Sequence, residues 1–143
     1  MADLRELYQA VILDHNRNPR NFGKLDEADR HVEGYNPLCG DQLTVWLRVK
    51  DDIVEEVRFE GVGCAVSQAS ASLMTTAVKG KRVAEVEALF QRFHRLVTGQ
   101  PQSEPEKAAL GKLTVFSGVS EFPIRVKCAS LCWHALRSAL QEK

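Results

Sequence analysis

Between Leu43 and Glu60 the chain alternates apolar and polar residues in two runs separated by an acidic pair. Leu43, Val45, Leu47 and Val49 alternate with Thr44, Trp46, Arg48 and Lys50. A period of two puts one set on each face of a pleated strand. Asp51-Asp52 predicts a tight turn. Ile53 to Glu60 then runs back, with Ile53, Val57 and Phe59 expected on one face and Val54, Glu56, Arg58 and Glu60 on the other. A hairpin with one apolar face is not stable alone and needs a second layer to cover it.

The flanking segments supply that layer. Leu4, Leu7, Tyr8, Val11 and Ile12 recur at three- and four-residue spacing and predict a helix over 4–15. Asn18-Pro19-Arg20-Asn21 ends it, because Pro19 disfavours the helical conformation at Asn18. The polar stretch through Arg30 reads as a loop or a short edge strand. After Gly61-Val62-Gly63, a small-residue helix is expected from Cys64 to Lys79, with Gly80 at its C-terminal cap. Its alanines and serines allow close approach by another element. A second helix runs from about Val83 to Val97, turning Val83, Val86, Leu89, Phe90, Phe93 and Leu96 inward. A loop over 99–105 comes next, then a short helix over 106–110 opened by Pro105. The last helix spans about Pro123 to Gln141. Strands preceding a run of helices predict an α+β sandwich: an antiparallel sheet of about three strands with helices packed on one face.

A chain of 143 residues fits one domain, taken as residues 1–143. Hydrophobic residues are 44% and charged residues 27%, which excludes a disordered or fibrous chain. No apolar run is long enough to cross a bilayer. Nineteen basic and nineteen acidic residues cancel. A nucleic-acid binder would carry a basic excess, so neither nucleic acid nor membrane is an expected partner. Met1-Ala2-Asp3-Leu4-Arg5-Glu6 shows no export signal, and a cytoplasmic location is expected. In a reducing compartment, cysteines act as metal ligands or reactive thiols more than as disulfides.

There are four: Cys39, Cys64, Cys128 and Cys132. If Cys39-Gly40-Asp41 is extended, its thiol and carboxylate point the same way, and Gly40 lets the backbone approach whatever they hold. Cys64 follows two glycines at a helix N-terminus, where the dipole favours a thiolate. Cys128 lies near the start of the last helix beside Lys127 and Arg125, whose charges also favour a thiolate. Three thiolates and a carboxylate suit a tetrahedral ion such as zinc, with Asp41 the hardest and weakest ligand. Cys132, one turn beyond Cys128, reads as core packing beside Leu131, Ala135 and Leu136, with a four-thiolate site in place of Asp41 as the alternative. His15, His31, His94 and His134 share no motif and read as surface or capping residues. Trp46 and Trp133 read as core or partial core, and Glu56 and Glu60 as solvent-facing.

The motifs Leu7-Tyr8 through Asp14-His15, Asn18-Pro19-Arg20-Asn21, Asn36-Pro37-Leu38-Cys39-Gly40-Asp41, Gly61-Val62-Gly63-Cys64-Ala65-Val66-Ser67-Gln68-Ala69-Ser70 and Val126-Lys127-Cys128 occur in order. On these the chain resembles the IscU-type iron–sulfur cluster assembly family, which includes the NifU N-terminal domain and the SufU branch. The resemblance implies an α+β sandwich with metal ligands at Cys39, Asp41, Cys64 and Cys128. It implies sulfur delivery from a pyridoxal-phosphate cysteine desulfurase. The delivered sulfur then enters either a transient [2Fe–2S] cluster on Cys39, Cys64 and Cys128 for transfer to apo-proteins, or a zinc-held sulfur relay.

Three departures are similar to SufU. Lys127 stands where IscU-type proteins place a histidine. Phe122-Pro123-Ile124-Arg125-Val126-Lys127 stands where they carry a Leu-Pro-Pro-Val-Lys chaperone motif, which speaks against an Hsp70-type partner. Extra residues lie around Gln91 to Leu113. The resemblance then implies Zn2+ at the site. Cys39 is the sulfur acceptor expected in the SufU-like mode and Cys128 in the IscU-like mode, with Arg125 and Lys127 steadying the negative sulfur. Whether such a protein is an enzyme, a zinc-dependent sulfurtransferase, or a scaffold or carrier stays open at this level. Two rival readings are a structural zinc-binding interaction module and a metal-independent transferase with Cys128 as nucleophile and His134 as base.

Overall fold

The structure, a computed structural model, describes residues 4–37 and 40–141, and side chains from Gln9 onward. Helix α1 (Leu4–Arg17) leads into strands β1 (Arg30–Asn36), β2 (Asp41–Lys50) and β3 (Ile53–Val62). Then come α2 (Ala65–Val78), α3 (Val83–Val97), α4 (Glu104–Leu110), a 3-10 helix (Gly111–Glu121) and α5 (Pro123–Gln141). The strands form one antiparallel sheet in the order β1-β2-β3. The α+β architecture is therefore the one the sequence implies; the polar stretch is mostly loop, and the edge strand β1 starts at its end with Arg30.

The β2–β3 hairpin closes through Asp51 and Asp52, both with positive φ (54° and 62°). That turn matches the right-handed twist of the strands. The face assignment of β3 differs from expectation at its start. Val54 is fully buried, whereas Ile53 is 36% exposed. The register steps from Arg48↔Glu56 to Val49↔Val54, which leaves Glu55 as an extra residue on β3. This bulge resets the alternation, so Val54 joins Val57 and Phe59 in the core. Glu55 meets Arg48 Nε at 3.3 Å. The outer edge of β3 is covered: Gly23 N–H donates to Phe59 O, Phe59 N–H to Asn21 O and Val54 N–H to Lys81 O. A sheet edge paired in this way does not template aggregation.

Helix α5 packs on β1 and β2, and α2 packs on β3 and α5. The core centres on Trp133, fully buried and stacked on Phe93 with ring centroids 4.8 Å apart, while Phe116 meets Phe93 edge-on at 5.8 Å. The small-residue face of α2 works as expected. Ser70 Oγ donates to Ala129 O at 2.5 Å, drawing α2 and α5 together. In the expected α1 stripe Ile12 is buried and Val11 partly buried; the side chains of Leu4, Leu7 and Tyr8 lie outside the described residues. His15 departs from a surface role. It is 4% exposed, with Nδ1 2.6 Å from Ser72 Oγ. Helix α4 begins two residues earlier than expected, because Ser103 and Glu106 form a reciprocal capping box. The 3-10 helix after it has no clear periodic signal in the sequence. Among the described residues no helix is long and apolar enough to cross a membrane.

Candidate metal centre

Three segments converge at one end of the sheet: the start of β2, the β3–α2 junction and the second turn of α5. Asp41 opens β2, in register opposite Asn36 at the end of β1. Of the Cys39-Gly40-Asp41 segment expected to be extended, Gly40 is in a turn and Asp41 begins the strand. Gly40 has φ +72°, and its N–H donates to Asn36 O at 2.9 Å. A left-handed residue at the loop end is why glycine stands there. Cys39 itself lies outside the described residues.

Cys64 is the N-cap of α2, and its sulfur accepts the Ser67 N–H at 3.4 Å. The thiol therefore takes the place a serine or aspartate oxygen usually fills at such a cap. Asp41 is fully buried; its Oδ1 accepts the Cys64 N–H at 2.8 Å and its Oδ2 lies 3.8 Å from Cys64 Sγ. Cys128 is 2% exposed, with Asn36 Nδ2 3.9 Å from its sulfur. One ligand atom each from Asp41, Cys64 and Cys128 lies within 4.8 Å of the others.

The donor set itself tests the fit of a cation. A fully buried carboxylate faces two thiols, and no Lys, Arg or His pairs with it among the described residues. A buried carboxylate without a cationic partner is unfavourable. A divalent cation would balance it, and two cysteine sulfurs with a carboxylate oxygen are a zinc-type ligand set.

Cys132 stands apart from this group. It is fully buried, with Ser70 Oγ 3.5 Å from its sulfur, and burial pushes its thiol up to about 12. It is core packing, and the alternative four-thiolate set is not formed. Arg125 and Lys127 are exposed. Arg125 lies over the Phe122 ring, 4.6 Å from its centroid, and neither cation makes a hydrogen bond or ion pair to a described thiol. His134 packs edge-on against Phe90 at 5.4 Å, on the exposed side of α5, while Cys128 is buried. That removes the nucleophile–base pair of the metal-independent rival. Sequence reasoning passed over Asn36 as a site residue, although it opens the Asn36-Pro37-Leu38-Cys39-Gly40-Asp41 motif.

Comparison with known proteins gives the family. The family model for the NifU-like N terminal domain matches residues 7–129. The zinc-dependent sulfurtransferase SufU of Bacillus subtilis (strain 168) is 40% identical over 142 residues, covering 99% of this chain and 95% of that protein. The iron–sulfur cluster assembly scaffold protein IscU of Streptococcus pyogenes serotype M1 is 39% identical over 141 residues, covering 99% and 87%. Among solved structures, an iron–sulfur cluster assembly scaffold protein for the SUF system from Fervidobacterium islandicum AW-1 is similar with a TM-score of 0.87 and 33% identity. That match covers 94% of this chain and 97% of the other.

Proposed function

The chain belongs to the NifU-like N terminal domain family, and we propose from that membership that it serves iron–sulfur cluster biogenesis as a sulfur acceptor with a Cys3Asp metal centre. The observation that carries this reading is the gathering of Asp41, Cys64 and Cys128 ligand atoms within 4.8 Å. Cys39, two residues before Asp41, is the proposed fourth ligand. Zinc is the proposed resident ion; when bound it keeps the thiols as thiolates and adds no redox chemistry.

A pyridoxal-phosphate cysteine desulfurase is the proposed donor. A thiolate of this chain attacks the terminal sulfur of the donor's persulfide. The donor's S–S bond breaks as the new one forms, and the electron pair leaves with the donor's thiolate. No outside oxidant or reductant is needed. Cys39 is the proposed acceptor, since Cys128 is 2% exposed and offers a bulky donor little approach. Arg125 and Lys127, exposed at the start of α5, are the proposed source of positive charge for the persulfide. Downstream, sulfur passes to a separate scaffold or to apo-iron–sulfur proteins, in the cytoplasm and from a single domain.

The IscU name borne by the Streptococcus relative supports a second reading, in which a transient [2Fe–2S] cluster assembles on the same thiols. Anaerobic reconstitution with iron and sulfide separates the two. A stable coloured species that transfers to an apo-protein favours the scaffold.

The primary reading is tested by elemental analysis and by transfer. Purified protein should hold about one zinc per chain, lost in Cys64→Ser. Mixed with a desulfurase, cysteine and a mild reductant, it should carry a persulfide that Cys39→Ala abolishes. Full metal in Cys64→Ser would contradict the ligand set, and persulfide on Cys39→Ala would move the acceptor role to Cys128.

A further inference from the structure

We infer that Asn36 is a positioning residue for Cys128, its side-chain amide setting how firmly that thiolate holds the metal. This rests on the metal-centre reading above and assigns a role within it to a residue outside the ligand set. Asn36 is 6% exposed and ends β1. Its backbone is fixed twice, by pairing with Asp41 and by accepting the Gly40 N–H at 2.9 Å. With its backbone anchored, its amide reaches to 3.9 Å from Cys128 Sγ, within range of the diffuse lone pairs of sulfur.

The two ends of one hairpin loop thus serve two different cysteines. Asp41 holds the Cys64 side through Cys64 N–H, and Asn36 holds the Cys128 side. The donors also differ in kind. Cys64 receives a backbone N–H from Ser67, which every residue type except proline supplies. The Asn36 donor at Cys128 is a side chain, which the sequence can choose. An amide N–H aimed at a thiolate stabilises its negative charge and draws electron density from sulfur. The thiolate then competes less well as a nucleophile and is held in one orientation toward the ion. This separates Cys128, held and quiet, from Cys39 on the loop between Asn36 and Asp41. Asn36 also lines a surface recess of about 360 Å3 with Tyr35, Lys127, Ser130 and His134.

The test uses the full chain loaded with cobalt(II) or zinc. Asn36→Leu removes the donor at similar volume, and Asn36→Ser draws a hydroxyl back beyond reach of sulfur. With cobalt, both should move the sulfur-to-metal charge-transfer band to longer wavelength, because sulfur freed from the amide gives up an electron more easily. With zinc, both should release metal to a chelator about tenfold faster. Far-UV circular dichroism reports folding; if the leucine variant does not fold, the serine variant decides. A variant that loses thermal stability but keeps the wild-type band and release rate has lost only a structural residue, and the inference falls. A wild-type protein that takes up no cobalt overturns both this inference and the metal-centre reading. Wild-type uptake with unmoved variants overturns the Asn36 assignment alone.

Discussion

Position 63 carries a hydrogen where any other residue would carry carbon, and the site depends on it. A Cβ there would lie 2.5 Å from Asp41 Oδ1, well inside van der Waals contact. Overpacking of this kind costs about 1–3 kcal/mol. Gly63→Ala should therefore lower the unfolding free energy by that amount and reduce zinc content, measured by denaturant titration and elemental analysis. The glycine before Cys64 was legible in the sequence as part of the motif. What comes close was not legible, because Asp41 lies on a different strand and only the β2–β3 register brings it there. Cys132 shows the converse. Its helical spacing from Cys128 left two readings open, and burial with the Ser70 contact decides for packing.

At the scale of elements, the β2–β3 hairpin was readable from alternation and from Asp51-Asp52. Its turn has two L-residues in the left-handed region, where glycine is at ease and other residues are strained. Asp52→Gly should raise stability by about 0.5–1 kcal/mol, seen as a higher urea midpoint with an unchanged slope. The mutation keeps the Asp52 carbonyl contact to Val83 N–H, which is backbone. The bulge at Glu55 escaped the sequence reading because parity counting assumes an unbroken ladder. One extra residue turned Val54 inward and Ile53 outward. Helices α3 and α5 lie where expected. The 3-10 helix did not, since its three-residue repeat leaves a weaker amphipathic pattern than an α-helix.

Over the whole molecule, α1 and the loop after it are fastened to α2 by polar contacts. His15 Nδ1 meets Ser72 Oγ at 2.6 Å, Asn16 donates to Ala65 O at 2.9 Å, and Asn21 donates to Thr75 Oγ1 at 3.0 Å. Burial, with help from the Arg20 charge, holds His15 below the ordinary imidazole value of 6.5. The unfolded chain then binds the proton more readily than the folded one. This contribution to stability is full above about pH 6.5 and is lost as pH falls toward the lower folded value. Partial burial shifts His134 the same way. Stability should decline from about pH 6.5 downward, and His15→Asn should flatten the decline without abolishing it. Thermal melts from mildly acidic to mildly alkaline pH check both. Such a buried contact was invisible in the sequence, where His15 sits amid polar neighbours.

Alternation, helical periodicity and glycine placement, all local properties of the polymer, determined the element order and the α+β class. Motif order determined the family and named Cys39, Asp41, Cys64 and Cys128 as a set. Only the tertiary structure decided that Asp41, Cys64 and Cys128 meet within 4.8 Å, that Asn36 reaches the Cys128 sulfur, and that Cys132 belongs to the core. Those contacts join residues far apart along the chain. Their distances are set by strand register and helix packing, which no window of neighbouring residues encodes.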